Sequence, residues 1–241
     1  MFSRKIAILK VHVVNGAPTR SVPRIVVIVD VFRASSTIAA ALGNGAESVI
    51  PISSIRNTIR YAKSAKSSKK VVLAGERYGV TPKGFTYGAS PFEMTTDNVG
   101  GRIIAYSSTN LTRILSRITR KSRVLVGCLN NAKAVANYAK RIGGGDVLIV
   151  ACGTKQGPAV EDLIGAGAIV DYLMAEDLTD DALVALGLYR NPNWRSLAER
   201  GRVAGRLRGL GFNKDIDFCL SLNTSSVVAG LVGKKIVNLS G

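Results

Sequence analysis

Residues 25–42 read IVVIVDVFRASSTIAAAL, and the order of chemistry in that stretch sets the architecture. Ile25 to Val31 is an almost unbroken β-branched run, the composition of a strand buried on both faces. The small residues from Ala34 to Leu42 that follow suit a helix, so the stretch predicts strand then helix. The same alternation extends on either side of Asp30 to Arg33. Ser48 to Ile52 is a second apolar run, Ser53 a cap, and Ile55 to Ala65 carries basic residues on a helical period. Val71 to Ala74 repeats the strand signal. Four Gly and two Pro then interrupt the pattern between Gly75 and Glu93, which predicts a long ordered loop of the kind that carries function.

Beyond the loop the reading continues as strand Arg102 to Tyr106, helix Asn110 to Ile118, strand Arg123 to Cys128, helix Asn131 to Ile142, strand Asp146 to Ala151 and helix Val160 to Ala175. Such alternation predicts an α/β fold, a three-layer arrangement with a largely parallel sheet and right-handed crossovers, with ligands at the carboxyl ends of the strands. The final third reads as helices over Asp180 to Tyr189 and Trp194 to Leu210, then short segments around Asp217 to Leu222, Ser225 to Leu231 and Lys235 to Leu239. Residues 1–241 are read as one unit, with a second smaller lobe left open at a boundary near 176–180.

Composition narrows the chemistry. The 241 residues include one histidine, His12, and three widely spaced cysteines, Cys128, Cys152 and Cys219. This rules out a multi-histidine metal site and argues against a disulfide framework, leaving the thiols as reduced core residues. A Ser-His-Asp triad is set aside because its only candidate histidine, His12, lies among alternating apolar residues and is read as structural. No apolar run approaches the roughly 20 residues of a membrane span, so a cytoplasmic protein is expected. Thirty-three Lys and Arg against sixteen Asp and Glu give a formal charge of +17, which calls for a polyanion or a small, highly anionic ligand. The basic residues fall in separate groups, Arg56 to Lys70, Arg113 to Arg123 and Arg195 to Arg208, and aromatics make up only 6%. That dispersal does not favour nucleic acid, which needs a basic stripe and stacking platforms. The chain also lacks a GxxxxGK[ST] loop, a complete GxGxxG fingerprint and a DxDxT start. Gly165 and Gly167 are read as helix-packing glycines, and a metal-activated water is favoured over an aspartyl nucleophile.

Several predicted strands end in polar residues: Asp30 with Arg33, Ser35 and Ser36; Glu76 with Arg77; Ser108, Thr109 and Asn110; and Gly153 with Thr154, ahead of Glu161 and Asp162. A parallel sheet brings such ends to one rim, where hydroxyls and Arg suit a phosphate or sulfonate and carboxylates suit a hard divalent cation. Each also has a plainer role. Ser and Thr cap helices, as Asn130 and Asn131 would, and Glu161 and Asp162 lie in a first helical turn that favours acids.

The ordered set DVFRASST (30–37), GERYGVTPKGFTYGASPFE (75–93), SSTN (107–110), GCLNNAKAVA (127–136), CGT (152–154) and EDLIGAGA (161–168) resembles the 2-phosphosulfolactate phosphatase family over nearly the whole chain. It departs from the family pattern at Leu111, commonly Gly, and at Asn223, commonly acidic. The resemblance implies a Mg2+-dependent α/β hydrolase that converts 2-phosphosulfolactate to sulfolactate and inorganic phosphate on the route to coenzyme M. On that basis Asp30, Arg33 and Glu76 are the expected catalytic residues, and Asp30, Glu76 and Glu161 or Asp162 the expected Mg2+ ligands. Ser35, Ser36, Ser108, Thr109, Asn110 and Thr154 would surround the phosphate, with Arg77 or Lys83 meeting the sulfonate or carboxylate. The expected partner is a small anionic phosphorylated substrate, and a homodimer is compatible with the sequence. Two other readings stand beside this one: a phosphatase for another short phosphorylated hydroxy acid, and a basic nucleic-acid-binding protein.

Overall fold

The computed structural model describes residues 9–19, 22–64, 70–118, 122–143 and 145–240; parts of two basic groups, 65–69 and 119–121, lie outside them. In chain order the strands are β1 (Lys10–Asn15), β2 (Ile25–Val29), β3 (Ser48–Pro51), β4 (Val71–Gly75), β5 (Ile103–Ser107), β6 (Arg123–Gly127), β7 (Val147–Ala151), β8 (Asp177–Leu178), β9 (Ala229–Val232) and β10 (Lys235–Asn238). The helices are α1 (Ala34–Gly43), α2 (Ile55–Ser64), α3 (Thr96–Val99), α4 (Leu111–Leu115), α5 (Ala132–Ile142), α6 (Val160–Leu173), α7 (Asp180–Arg190), α8 (Trp194–Glu199), α9 (Arg202–Gly209) and α10 (Asn213–Cys219).

The strands form one sheet in the order β4-β5-β3-β10-β9-β6-β2-β7-β1-β8. It is parallel except where β10 pairs with β3 and β9, and β9 with β6. This is the largely parallel α/β sheet between helical layers that the alternation predicts. Strand β2 shows why its sequence is unbroken. Ile25, Val27 and Val29 face a core shared with α5, α6 and α7, whereas Val26 and Ile28 face one shared with α1 and α4. Alternate side chains of a strand point to opposite faces, so a strand covered on both sides needs apolar residues at every position.

Two features of the C-terminal third differ from the sequence reading. Its last strands, β9 and β10, enter the middle of the sheet, and Val203, Leu207, Ile216 and Cys219 join the same core as α6. The C-terminal third thus shares the sheet and core of the rest. The helix expected over Trp194 to Leu210 is two helices, α8 and α9, parted at Arg200 and Gly201. A side chain at Gly201 would meet Val160 at 2.8 Å, the Ala198 carbonyl at 3.0 Å and Glu161 Oε2 at 3.2 Å, so only glycine lets α9 turn in toward α6. Strand β1, which holds His12, was not separately predicted.

The sheet also curls. In a flat sheet β5 would lie five inter-strand steps, roughly 24 Å, from β2. Yet the Leu111 N–H, four residues past β5, donates to Asp30 Oδ2 at 3.2 Å. Curvature therefore brings together strand ends that the strand order keeps apart. The two helix-packing glycines hold the other face close: a Cβ at Gly167 would stand 2.0 Å from the Ala185 carbonyl oxygen, and one at Gly165 would stand 2.7 Å from Val31.

Candidate active site

Asp30 follows β2 and is 5% exposed. Its backbone N–H donates to Ser35 Oγ at 2.9 Å and its carbonyl accepts from the Ser35 N–H at 2.9 Å, so Ser35 turns the chain from strand into α1. Glu76 follows β4. Its Oε1 accepts from the Thr109 N–H at 2.6 Å, while Oε2 accepts from the Gly79 N–H at 2.7 Å and the Thr109 hydroxyl at 3.1 Å. Asp30 and Glu76 line one narrow cavity of about 20 Å³ together with Arg33, Thr109, Asn110 and Arg206. Room of that size holds a single water or a small ion. Burial, followed by the charge of Glu76, pushes the Asp30 carboxyl up to about 8.

Arg33 is clamped. Its Nη1 donates to Asp215 Oδ2 at 2.7 Å and its Nη2 to the Gly79 carbonyl at 2.7 Å, with the Phe212 ring 4.1 Å from the guanidinium carbon. Asp215 is itself held by the Ser90 hydroxyl at 2.7 Å. A guanidinium has five N–H groups, so this clamp leaves part of the fork to face the cavity.

The narrow cavity opens into a wider compartment of about 260 Å³ that shares Thr109, Asn110, Val203 and Arg206 with it and adds Tyr78, Thr154, Lys155, Gln156 and Arg202. The whole is one cleft at the carboxyl ends of the strands, with an acidic floor and a basic mouth. Asn110 stands at the junction, its Oδ1 buried and without a hydrogen-bond partner among the described residues.

Residues 11–234 match the family model described as 2-phosphosulpholactate phosphatase. The chain belongs to that family. Relatives named "Probable 2-phosphosulfolactate phosphatase" include those of Thermotoga maritima, 36% identical over 87% of this chain and 89% of the relative, and Symbiobacterium thermophilum, 35% identical over 90% and 94%. That of Synechococcus sp. is 35% identical over 95% and 98%. As a member of this family the protein is a phosphoric monoester hydrolase.

Among the residues expected to form a phosphatase site, the cleft gathers Asp30, Arg33, Glu76, Thr109, Asn110 and Thr154. The others lie elsewhere for identifiable reasons. Ser35 Oγ is spent on the Asp30 N–H, and the Ser36 hydroxyl donates to the Val31 carbonyl at 3.0 Å; both side chains are fully buried. Ser108 is buried in a reciprocal exchange with Thr112, which is the capping role the sequence also allowed. Arg77 is drawn away by the Ser53 carbonyl at 2.6 Å and Ser107 Oγ at 2.8 Å. Lys83 is exposed on the 75–93 loop and lines neither compartment. Leu111 contributes its backbone N–H to Asp30 from a fully buried position. Asn223 bonds the Lys133 N–H and the Tyr172 hydroxyl and lines neither compartment.

The four expected carboxylates also divide. Asp162 accepts from the Val31 N–H at 2.8 Å and the Gly153 N–H at 2.9 Å, tying the end of β2 to that of β7. Glu161 is 2% exposed and lines neither compartment. Burial raises its carboxyl to about 7 against the pull of Arg206 and Arg202. Among the described residues no three His, Cys, Asp or Glu side chains converge as a ready-made cation cage. Asp30 and Glu76 nevertheless fit Mg2+: they are two carboxylates at one ion-sized cavity, one destabilised by the other's charge, and Mg2+ commonly takes one or two carboxylates and keeps several waters. The thiols are poorly suited to attack, since burial pushes Cys128 up to about 11 and Cys152 and Cys219 well above the usual thiol value.

Sequence reasoning missed the basic mouth. Arg202 and Arg206 fall within the dispersed basic group Arg195 to Arg208, and Lys155 and Gln156 carry no motif that singles them out. The usable signal was Gly201, which breaks the expected long helix.

Proposed function

We propose that this protein hydrolyses the phosphate ester of 2-phosphosulfolactate, giving sulfolactate and inorganic phosphate in a Mg2+-dependent step of the coenzyme M type. The observation that carries this reading is the polarity of a single cleft: two carboxylates and a clamped guanidinium at the floor, three cationic side chains at the mouth. A ligand suited to it must carry one anionic group that can share a cation with Asp30 and Glu76, and a second that meets Lys155, Arg202 and Arg206.

Asp30 and Glu76 would hold the Mg2+, which supplies a fixed divalent charge against the phosphoryl oxygens as the ester bond breaks. Thr109 holds Glu76 in place through two hydrogen bonds, so this carboxylate does not reorient when substrate enters. Arg33, fixed by Asp215 and Gly79, aims its remaining N–H groups at the phosphoryl oxygens. Such pre-set donors stabilise developing charge without reorganising. Arg206 spans both compartments and orients the phosphate relative to the rest of the substrate.

The test is phosphate release from 2-phosphosulfolactate with Mg2+ and with EDTA. Turnover that EDTA abolishes and Mg2+ restores is expected. Turnover unaffected by EDTA would remove the metal from the reading. Preference for a phosphorylated three-carbon acid lacking sulfonate would replace the substrate and leave the reaction.

A further inference from the structure

We propose that the outward face of α7 is a contact surface for a second copy of this chain, the two α7 helices lying antiparallel across a twofold axis level with Ala185. None of the outward residues of α7 lines either compartment of the cleft, so the inference stands apart from the function proposed above.

The helix distributes its side chains against the usual rule. Between Asp181 and Arg190 it carries no charge, reading ALVALGLY over 182–189. The positions it buries completely are small: Ala182 and Ala185, with Gly167 of α6 packed against the Ala185 carbonyl. Leu186, Leu188 and Tyr189 are partly buried against the same core. Leu183 and Val184 point the other way, 52% and 58% exposed, whereas a surface helix ordinarily turns its large apolar residues to the core and polar ones to water. Gly187 shares this outward face, and a Cβ there would meet nothing within 4 Å. Glycine is among the poorest helix formers, and no neighbour among the described residues calls for it. The outward face is therefore two apolar knobs beside a hollow.

The charges say which partner fits. Asp180 opens the helix and Arg190 closes it, both exposed, and with Leu183, Val184 and Gly187 they fall at helical spacing on one stripe. Asp180 and Arg190 lie equally far from Ala185 along the helix, and so do Leu183 and Gly187. In an antiparallel pair each Leu183 thus faces the partner's Gly187, and each Asp180 the partner's Arg190, twice over by symmetry. Arg190 is held by Asp171 through Nε and Nη2, yet its side chain is 65% exposed. Its Nη1 remains to reach across. An acidic or a basic partner would match only one end of this stripe; a second copy matches both. One helix pair falls at or below the low end of the roughly 1,200–2,000 Å² that stable interfaces bury, so the dimer should dissociate at micromolar concentration.

Sedimentation equilibrium of the full chain between about 1 and 200 μM tests the pairing, and wild type should pass from monomer to dimer in that range. Gly187→Leu fills the hollow and should weaken the dimer at least about tenfold, while the melting temperature of the dilute monomer stays the same or rises. Leu183→Asp, at an exposed position, should weaken it by a similar factor and reads the same face independently. The double variant Leu183→Ala/Gly187→Leu exchanges knob and hollow, so it should recover at least about threefold of the affinity that Gly187→Leu loses. Asp180→Lys sets like charges opposite each other and should weaken the dimer about threefold at low salt, with the difference shrinking at 0.5 M salt. A wild type still monomeric at about 200 μM overturns the proposal. So does a dimer that Gly187→Leu and Leu183→Asp leave intact, which would lie on another face, or an exchange variant no tighter than Gly187→Leu, which would exclude this antiparallel register.

Discussion

The floor and the mouth of the cleft are built in opposite ways. At the floor, Asp30 and Glu76 sit directly after parallel strands, and Arg33 is 2% exposed in its side chain and bound on two sides. At the mouth, Arg202, Arg206 and Lys155 are exposed and stand on a short helix and a loop. Fixed charges at the floor suit bond breaking, where electrostatic preorganisation matters most; exposed charges at the mouth suit capture, where long-range attraction matters and geometry is forgiving. Under the proposed function, one cleft would thus separate rate from recognition along its depth.

The largest expected effect tests the rigidity of the floor. Asp215→Ala would strand the Arg33 guanidinium in a buried site, and breaking one side of such a pair costs about 3–5 kcal/mol. Urea unfolding should show that loss as a lower midpoint with an unchanged slope. Asp215→Asn keeps the Ser90 bond and part of the clamp, so it should lose less. A change below about 1 kcal/mol in the alanine variant would mean that Arg33 has another partner and the floor is not fixed in this way.

Next comes the chemistry of the floor. Asp30→Asn and Glu76→Gln should each lower Mg2+-dependent turnover by about a hundredfold to a thousandfold, or roughly 3–4 kcal/mol. Asp30→Asn should not lower the melting temperature of the metal-free protein, since it removes one of two repelling carboxylates and its amide oxygen can still accept from the Leu111 N–H. Glu76→Gln should lower it, because both Glu76 oxygens accept backbone N–H bonds and an amide nitrogen cannot. Near-wild-type turnover in both would take these residues out of the reaction.

A third test uses pH. The Asp30 and Glu161 carboxyls are raised by burial, to about 8 and about 7, so folding favours their protonated forms. Their contribution to stability is complete below the ordinary carboxylate range and is lost as pH rises through 7 and 8. Metal-free protein should therefore lose stability between about pH 5 and 8. Mg2+ competes with protons for the floor, so its stabilisation should be larger at pH 8 than at pH 5. At a hundred times Kd the gain is about 2.7 kcal/mol, or roughly 5–10 °C in Tm for a chain of this size. Equal Tm shifts at the two pH values would remove the raised carboxylates from the Mg2+ site.

This contrast also explains what could be read in the sequence. Asp30, Glu76 and Thr109 were legible because a parallel sheet delivers residues after its strands to one rim, so local pattern fixes their position. Ser35, Ser36 and Ser108 stand in the same sequence positions but turn their hydroxyls into the backbone; only side-chain direction separates them from Thr109. The β9–β10 hairpin was illegible as the centre of the sheet, because its pairing joins residues nearly 200 positions apart, as in Ile236 with Val49. Asp215 was hidden for the same reason, since its meaning depends on Arg33, 182 residues away. The mouth had no strand-end signal and depended on the break at Gly201.

The smallest expected effect separates the mouth from the rest of the basic surface. With a formal charge of +17, a general field could draw anions to the protein without any dedicated subsite. Arg56 and Arg60 lie on α2 and line neither compartment. Removing both subtracts the same formal charge as removing Lys155 and Arg202. If capture depends on total charge, the two double variants should weaken KM alike, and the effect should fade together with added salt. If it depends on the mouth, Arg56→Gln/Arg60→Gln should leave KM within about twofold and stability within about 0.5 kcal/mol. The mouth variant should then keep its deficit at 0.5 M salt, where the Debye length is only about 4 Å and distant charges no longer reach the cleft. Matched charge removal at two places therefore asks whether recognition belongs to the cleft or to the whole surface.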